Sequence, residues 1–182
     1  MRLQVNTDFV IETLTRCEWR QRRDEVMAME ELCYEPARRD PADLFDRITA
    51  HDSAIATVAL CAKRVVGFCF AGPLEWFEHV VGPSTDPQLG LHSTLYAADL
   101  TVAPEWQRRG IGFALKRRQL HDATARNYRY VVGRNRVGFS DAMIRLNRRL
   151  GARVVDYFAG SYGDGLDPDM AVYYRIKLRR AR

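Results

Sequence analysis

Gln107-Arg108-Arg109-Gly110-Ile111-Gly112 is the stretch of this chain best suited to hold a ligand. It follows an apolar, strand-like run at residues 95–102 and opens a helix-like run at 111–126. Two glycines let a backbone turn tightly and come close to a bound molecule. The first turn of a helix presents N–H groups without intrahelical partners, a natural seat for a phosphate or diphosphate. Arg108 and Arg109 add positive charge at the same place. The segment reads as a diphosphate cradle, against the plain alternative of an ordinary strand-to-helix turn. Its spacing is neither Gly-x-x-x-x-Gly-Lys-Ser/Thr nor Gly-x-Gly-x-x-Gly, so it is neither a P-loop nor a dinucleotide fingerprint.

Other reactive residue types offer less. His51, His79, His92 and His121 show no metal-ligand spacing, and no metal is expected. Cys17, Cys33, Cys61 and Cys69 form no C-x-x-C pair, so reduced thiols in a cytoplasmic setting are expected. Cys61 and Cys69 fall in apolar runs and read as small core residues. No Gly-x-Ser-x-Gly elbow is present.

The elements that must position the cradle follow from periodicity. Residues 9–14 read as a strand and 18–34 as a helix, with Val26, Met29 and Cys33 on one face. Asp40 and Pro41 read as N-cap and first turn of a short helix that turns Leu44, Phe45 and Ile48 inward. Residues 54–61 and 65–71 read as a hairpin turning at Lys63-Arg64. Residues 74–92 form a long irregular segment, either an acceptor-side loop or a surface insertion. Strand 95–102, helix 111–126 and strand 128–133 make a βαβ unit with parallel strands. A helix at 141–150 is stopped by Gly151, and strands at 153–159 and 170–178 close the chain. Residues 179–182 read as a frayed basic tail. The whole describes an α/β protein of one domain, residues 1–182, with a mixed sheet covered by helices on both faces.

At 182 residues, 47% hydrophobic and 28% charged, the composition is that of a soluble globular protein. No apolar run is long enough for a membrane span, and residues 1–6 lack a signal-peptide core. The net charge of +5 is unevenly spread. Between Gln107 and Arg153 there are thirteen Lys/Arg against only Asp122 and Asp141. Residues 66–106 contain no Lys or Arg but carry Glu75, Glu78, Asp86, Asp99 and Glu105. Residues 154–174 likewise hold only Asp156, Asp164, Asp167 and Asp169 as charges. A basic half suits a phosphorylated ligand, an acidic half a cationic one. Aromatic residues are not interleaved with the arginines as a base-stacking platform needs, so neither nucleic acid nor membrane is an expected partner.

Arg/Gln-x-x-Gly-x-Gly/Ala after a strand resembles the acetyl-coenzyme A signature of the GNAT superfamily of N-acetyltransferases. Leu100-Thr101-Val102-Ala103-Pro104-Glu105-Trp106 resembles that family's L-x-V-x-P-x-aromatic lead-in. Met143-Ile144-Arg145-Leu146-Asn147-Arg148-Arg149-Leu150-Gly151-Ala152 resembles its second block, which usually ends in Leu-Gly-Phe. By order of elements the likeness runs over about residues 50–178. It implies a GNAT-like central mixed β-sheet flanked by helices on both faces, with acetyl-CoA as co-substrate.

The resemblance also implies roles. The backbone of Leu100, Thr101 and Val102 would hold the pantetheine arm like an added strand and polarise the thioester carbonyl. Gln107, Arg108, Arg109, Gly110, Ile111, Gly112 and Phe113 would take the diphosphate, and Asn135 would add a cofactor contact. The family's Glu or His base positions fall at Tyr96 and Ala98, so Tyr96 would relay a proton through water or line the pocket. Asp99 is the only acid on that strand, and strict alternation sets it opposite Tyr96, Leu100 and Val102 unless a bulge intervenes. It is a candidate base or a structural acid, and Glu75 is a third candidate. The tyrosine that usually protonates the leaving thiolate is replaced by Asn147, whose amide can hydrogen-bond but not donate a proton in acid catalysis. Tyr157, Tyr162 and Tyr173 would line the acceptor side or pack. The expected activity is N-acetylation of a small, cationic amine. The alternatives are a protein amino group, a longer acyl donor, or a non-catalytic acyl-CoA binding module. The oligomeric state is left open, a homodimer included.

Overall fold

The computed structural model describes residues 9–179. The sequence start at 1–6 and all of the basic tail but Arg179 lie outside the described residues. Near-continuous apolar runs in the first half of the chain build three antiparallel neighbours, β1 (Val10–Thr13), β2 (Ile55–Cys61) and β3 (Arg64–Pro73). The β2–β3 turn is formed by Ala62 and Lys63, both at positive φ, as a two-residue hairpin requires. β4 (Thr94–Val102) lies antiparallel to β3. β5 (Tyr130–Arg136) is parallel to β4, so the βαβ unit is present. β6 (Arg153–Ala159) and β7 (Met170–Lys177) complete a seven-stranded mixed sheet ordered β1-β2-β3-β4-β5-β7-β6.

Helices cover both faces. α1 (Arg16–Cys33) starts at a capping box in which the Glu18 N–H donates to the Thr15 hydroxyl and the Thr15 N–H donates to the Glu18 carboxylate. α1 and α2 (Ala42–Ala50) bury Trp19, Val26, Met29, Phe45 and Ile48 against Val58, Phe68 and Phe70. Phe45 meets Phe70 edge-on at 4.8 Å and Phe68 at 6.0 Å, the favoured geometry for aromatic pairs. On the opposite face α3 (Ile111–Ala125) seats Ile111 and Leu115 on Ala59, Val66 and Cys69. α4 (Asp141–Arg149) packs beside β5.

Three expectations need correction. Asp40 does not cap α2, because the residue before its first turn is Pro41 and no side chain caps it. Instead the Asp40 N–H donates to Glu30 Oε1 at 2.8 Å, which turns the segment inward. β5 continues past residue 133 through Arg134, Asn135 and Arg136, because pairing with β7 outweighs their polarity. Residues 74–92 are not a loose insertion. Two 3₁₀ turns, Leu74–Phe77 and Pro83–Thr85, order the segment. The buried Asp86 carboxylate fastens it to β7, accepting from the Tyr173 hydroxyl and the Arg175 guanidinium, each at 2.7 Å.

Two irregularities of β4 decide where a ligand can go. Its pairing with β5 covers only Thr94, Leu95 and Tyr96 against Tyr130, Val131 and Val132, after which the strands part. In its pairing with β3, Phe70 faces Asp99 and Ala71 faces Ala97, so Ala98 is an extra, bulged residue. No helix among the described residues is long and apolar enough to cross a membrane.

Because Phe70 joins α1, α2 and β3 through three ring contacts, Phe70→Ala should cost about 3–5 kcal/mol. Urea unfolding followed by circular dichroism measures this. A loss below about 1 kcal/mol would show that the aromatic cluster does not carry this half of the core.

Candidate active site

The parting of β4 and β5 opens a cleft of about 560 Å³. Tyr34, Asp40, Trp76 and Asp99 line it from the α1–α2 side, and Lys116 and Tyr174 reach it from the α3 side. The bulge at Ala98 sets which side chains look where. Leu100 and Val102 pack with Ile111 and Leu115 under α3. Ala98 packs against the phenylalanines on the opposite face, and Asp99 also turns to that side, where the Tyr34 hydroxyl donates to it at 3.2 Å. Strict alternation holds for Leu100 and Val102, from which Asp99 parts, and fails for Tyr96, with which the bulge makes Asp99 share a face.

Three carboxylates meet on that face, Glu30 from α1, Asp40 from the α1–α2 connection and Asp99 from β4, with oxygens within 4.8 Å of one another. Asp99 Oδ1 accepts from Tyr34 at 3.2 Å and from Thr101 at 3.1 Å. Its Oδ2 and the Oε2 of Glu30 are buried without another partner, and one proton held between them satisfies both. Burial lifts the Asp99 carboxyl well above the usual range, and the Glu30 charge adds to this. Burial and Glu30 thus favour the protonated form of Asp99, which weighs against the free base that its place on β4 suggests. Burial, together with Asp99, pushes Asp40 up to about 7, with Arg134 opposing. Asp40 is thus the carboxyl of this cluster that titrates near neutrality and opens on the cleft. The sequence reading missed it, since Asp before Pro at a helix start looks like a cap.

The other candidates separate clearly. Tyr96 lines the cleft, its ring tilted against Phe77 at 4.4 Å, and burial pushes its hydroxyl up to about 12, which disfavours its ionised form. Glu75 lies away from the cleft lining and accepts the His92 N–H at 2.9 Å. Tyr162 lines the cleft between Arg134 and Arg136, Tyr173 is buried on Asp86, and Tyr157 is exposed on β6.

The cradle has the form expected of an anion seat. Gln107 Nε2 donates to the Val102 carbonyl at 3.1 Å, and the Arg109 guanidinium donates to the Glu105 carbonyl at 2.9 Å and stacks on Trp106. These side chains brace the loop, so the backbone is the part that faces a ligand. Arg108 at φ 63° and Gly110 at φ 85° turn the chain through the left-handed region. No side chain caps α3, and among the described residues no acceptor meets the N–H groups of Arg108, Arg109, Gly110, Ile111, Gly112 or Phe113. Asn147, 1% exposed, lies behind the cleft wall rather than in its lining: it donates from Nδ2 to the cleft-lining Asn135 Oδ1 at 2.9 Å, while its own Oδ1 is buried and unpartnered. An uncapped row of N–H groups and an open strand edge fit a ligand with a diphosphate at one end and an amide-bearing arm. Acetyl-CoA is such a ligand.

A mixed sheet split between its fourth and fifth strands, with an anion seat at the following helix, defines a coenzyme A-dependent acyltransferase scaffold. The model of the acetyltransferase (GNAT) family matches residues 17–152, and the chain belongs to that family. No curated protein matches the sequence. Among solved structures, the ribosomal-protein-S18-alanine N-acetyltransferase of Escherichia coli aligns with a TM-score of 0.72 and 14% identity, over 96% of this chain and 97% of its own. The Salmonella typhimurium protein yncA, solved with its cofactor acetyl-CoA, aligns with a TM-score of 0.71 and 16% identity, over 95% of each chain. GphF, a GNAT-like decarboxylase in complex with isobutyryl-CoA, aligns at 0.73 and 19%, over 93% of this chain and all of its own. At these identities the likeness is one of fold.

A Cβ on Gly110 would meet no protein atom within 4 Å, so its cost lies in the positive φ and in the ligand it would strike. Gly110→Val should therefore weaken coenzyme A binding by more than about tenfold, or 1.4 kcal/mol. Titration calorimetry that finds unchanged affinity would remove the cradle from residues 108–113.

Proposed function

We propose that this chain is an acetyl-CoA-dependent N-acetyltransferase acting on a small amine, with Asp40 taking the amine proton. The observation that carries this reading is the Asp40 carboxyl, held half-buried over Asp99 and open to the cleft where β4 and β5 part. When bound, acetyl-CoA supplies an activated acetyl thioester. The backbone of residues 108–113 holds the diphosphate, and the β4 backbone at Leu100–Val102 holds the arm and orients the carbonyl. An amine entering as the ammonium is drawn to the negative charge of the Glu30–Asp40–Asp99 cluster. Asp40, ionised above about pH 7, accepts its proton, and the neutral amine becomes the nucleophile. Tyr34 and Thr101 keep Asp99 fixed beneath Asp40.

The charges that line the cleft, more than the sequence runs, support this reading of the acceptor's charge. Asp86 is paired with Arg175 and Asp164 with Arg136, so these acids of the cation-free runs are neutralised in space. Arg38, Arg47 and Arg134 also line the cleft, stacked on Tyr34, Trp76 and Tyr162, with no carboxylate partner among the described residues. They oppose a polycation and favour an acceptor with one positive charge, alone or beside a carboxylate. This narrows the cationic amine expected from the sequence to a singly charged one. The confined cleft favours a small molecule over a protein. The four free cysteines suit a reducing, cytoplasmic setting.

Asp40→Asn should lower kcat/KM by about 10²–10⁴ while leaving coenzyme A affinity intact. In the parent enzyme the rate should rise as pH passes upward through about 7, because only the ionised carboxylate accepts a proton, and this limb should vanish in the variant. Stopped-time thiol assays across pH check both; a retained limb would take the base role from Asp40. In a matched acceptor panel, monoamines and amino acids should outrun spermidine-type polyamines at low salt. A polyamine preference that persists at high salt would refute the charge argument.

A further inference from the structure

We propose that Tyr174 donates the proton that coenzyme A sulfur takes up as it leaves, and that Lys116 stands behind it as the proton reserve. The proposal rests on acyl transfer from coenzyme A, and not on which amine receives the acetyl group.

Lys116 is 1% exposed, on the inner face of α3. Its Nζ donates to Gln119 Oε1 at 2.6 Å and to the Tyr174 hydroxyl at 3.2 Å. Gln119 Nε2 in turn donates to Cys69 Sγ at 3.0 Å, which fixes the amide with its oxygen toward the lysine. Among the described residues no carboxylate pairs with Lys116. A buried ammonium without a counter-ion is costly to keep, and a methionine of similar length would pack the same space without that cost.

The place of Tyr174 makes the pair useful. Its hydroxyl lies 2.6 Å from where a Cβ on Gly133 would stand, so only glycine leaves room for it there. Gly133 follows Val132, the last β5 residue paired with β4. The hydroxyl thus sits where the strands part, and both Tyr174 and Lys116 line the cleft. An arm held by its diphosphate at residues 108–113 and running along the free edge of β4 ends at that point. Asn147 occupies the α4 position of the family's usual tyrosine and holds Asn135 instead. The hydroxyl reaches the same end of the cleft from β7.

The step balances without an added reagent. As the C–S bond breaks, its electron pair goes to sulfur. The Tyr174 O–H bond breaks to give sulfur its proton, and the phenolate takes a proton from the Lys116 ammonium. Lys116 regains a proton from solvent once the products leave. The titratable groups that face Lys116 are Cys69 from β3 and Tyr174 from β7, while Asp99 from β4 bears on Cys69. Burial pushes Lys116 down to about 8, Cys69 up to about 12 and Tyr174 higher still. Both neighbours stay neutral, so the reserve empties as pH rises above about 8.

The test compares the full-length protein with Lys116→Met and Tyr174→Phe. Coenzyme A affinity by calorimetry confirms that each variant folds and binds. Ultraviolet absorbance of the thiolate in the bound coenzyme A complex is then titrated against pH. In the parent protein the bound thiol should ionise at lower pH than in Lys116→Met, because the ammonium stabilises the thiolate. Tyr174→Phe should lower kcat by about 10²-fold or more, and Lys116→Met should abolish the fall in kcat above about pH 8. Identical thiol titrations in parent and Lys116→Met, or an unchanged kcat in Tyr174→Phe, would overturn the proposal. A shifted thiol titration in a protein that acetylates no amine would uphold the Lys116 contact and sink the acceptor reading instead.

Discussion

The fold turns on the failure of β4 and β5 to stay paired beyond three residues. Each backbone N–H and C=O on the parted edges still needs a partner, and buried groups left without one are costly. A strand edge opened inside a sheet is therefore either wet or filled by an extended ligand. The neighbouring parts all point into that opening. α3 begins without a cap at the mouth, the carboxylate cluster lies on one side of the sheet, and Lys116 with Tyr174 lies on the other. The bulge at Ala98 adds the half-turn that puts Asp99 on the face of the sheet covered by α1 and α2 without disturbing Leu100 and Val102 beneath α3.

The two sides of the sheet hold opposite titrating groups, each displaced by the same physical cause. Burial raises carboxyls and lowers amines, because it disfavours whichever form is charged. On the α1 side this brings Asp40 up to about 7, and on the α3 side it brings Lys116 down to about 8. Between those values Asp40 is ionised and Lys116 still carries its proton. A proton acceptor and a proton donor then coexist across the sheet, as the proposed transfer from a thioester to an amine requires. Neither group would titrate near neutrality if it were exposed. The cluster therefore gains its chemistry from the same desolvation that makes it destabilising.

Much of the fold was legible because it rests on local signals. The strand-to-helix cradle, the parallel βαβ unit and the covering helices follow from periodicity and glycine placement, and the strands and helices formed near their expected limits. The shape of residues 107–113, a tight turn opening a helix, was legible for the same reason: the N–H groups that could form an anion seat there are consecutive in the chain. The carboxylate cluster was not. Asp40, Glu30 and Asp99 come from a connection, a helix and a strand, and nothing in their spacing announces that they converge. The bulge was invisible too, since one extra residue in a strand leaves the composition unchanged while reversing which side chains share a face. The charge runs misled in a different way. They are contiguous in sequence, but Arg136 and Arg175 from elsewhere in the chain neutralise Asp164 and Asp86.

Membership of the GNAT family fixes the scaffold and the coenzyme more firmly than it fixes the chemistry. A decarboxylase in complex with isobutyryl-CoA shares this fold as closely as an N-acetyltransferase does. Activity must then be argued from the groups at the parting of the strands. Asn147 illustrates the point. Read by position alone, it says that a proton donor is missing. In three dimensions its amide is committed to Asn135, and a different hydroxyl, Tyr174, comes to the end of the cleft from β7. A proton donor is defined by reach and by what recharges it, not by the helix that carries it. The buried Lys116, otherwise a costly charge in an apolar setting, acquires a reason once it is seen as the group that recharges Tyr174.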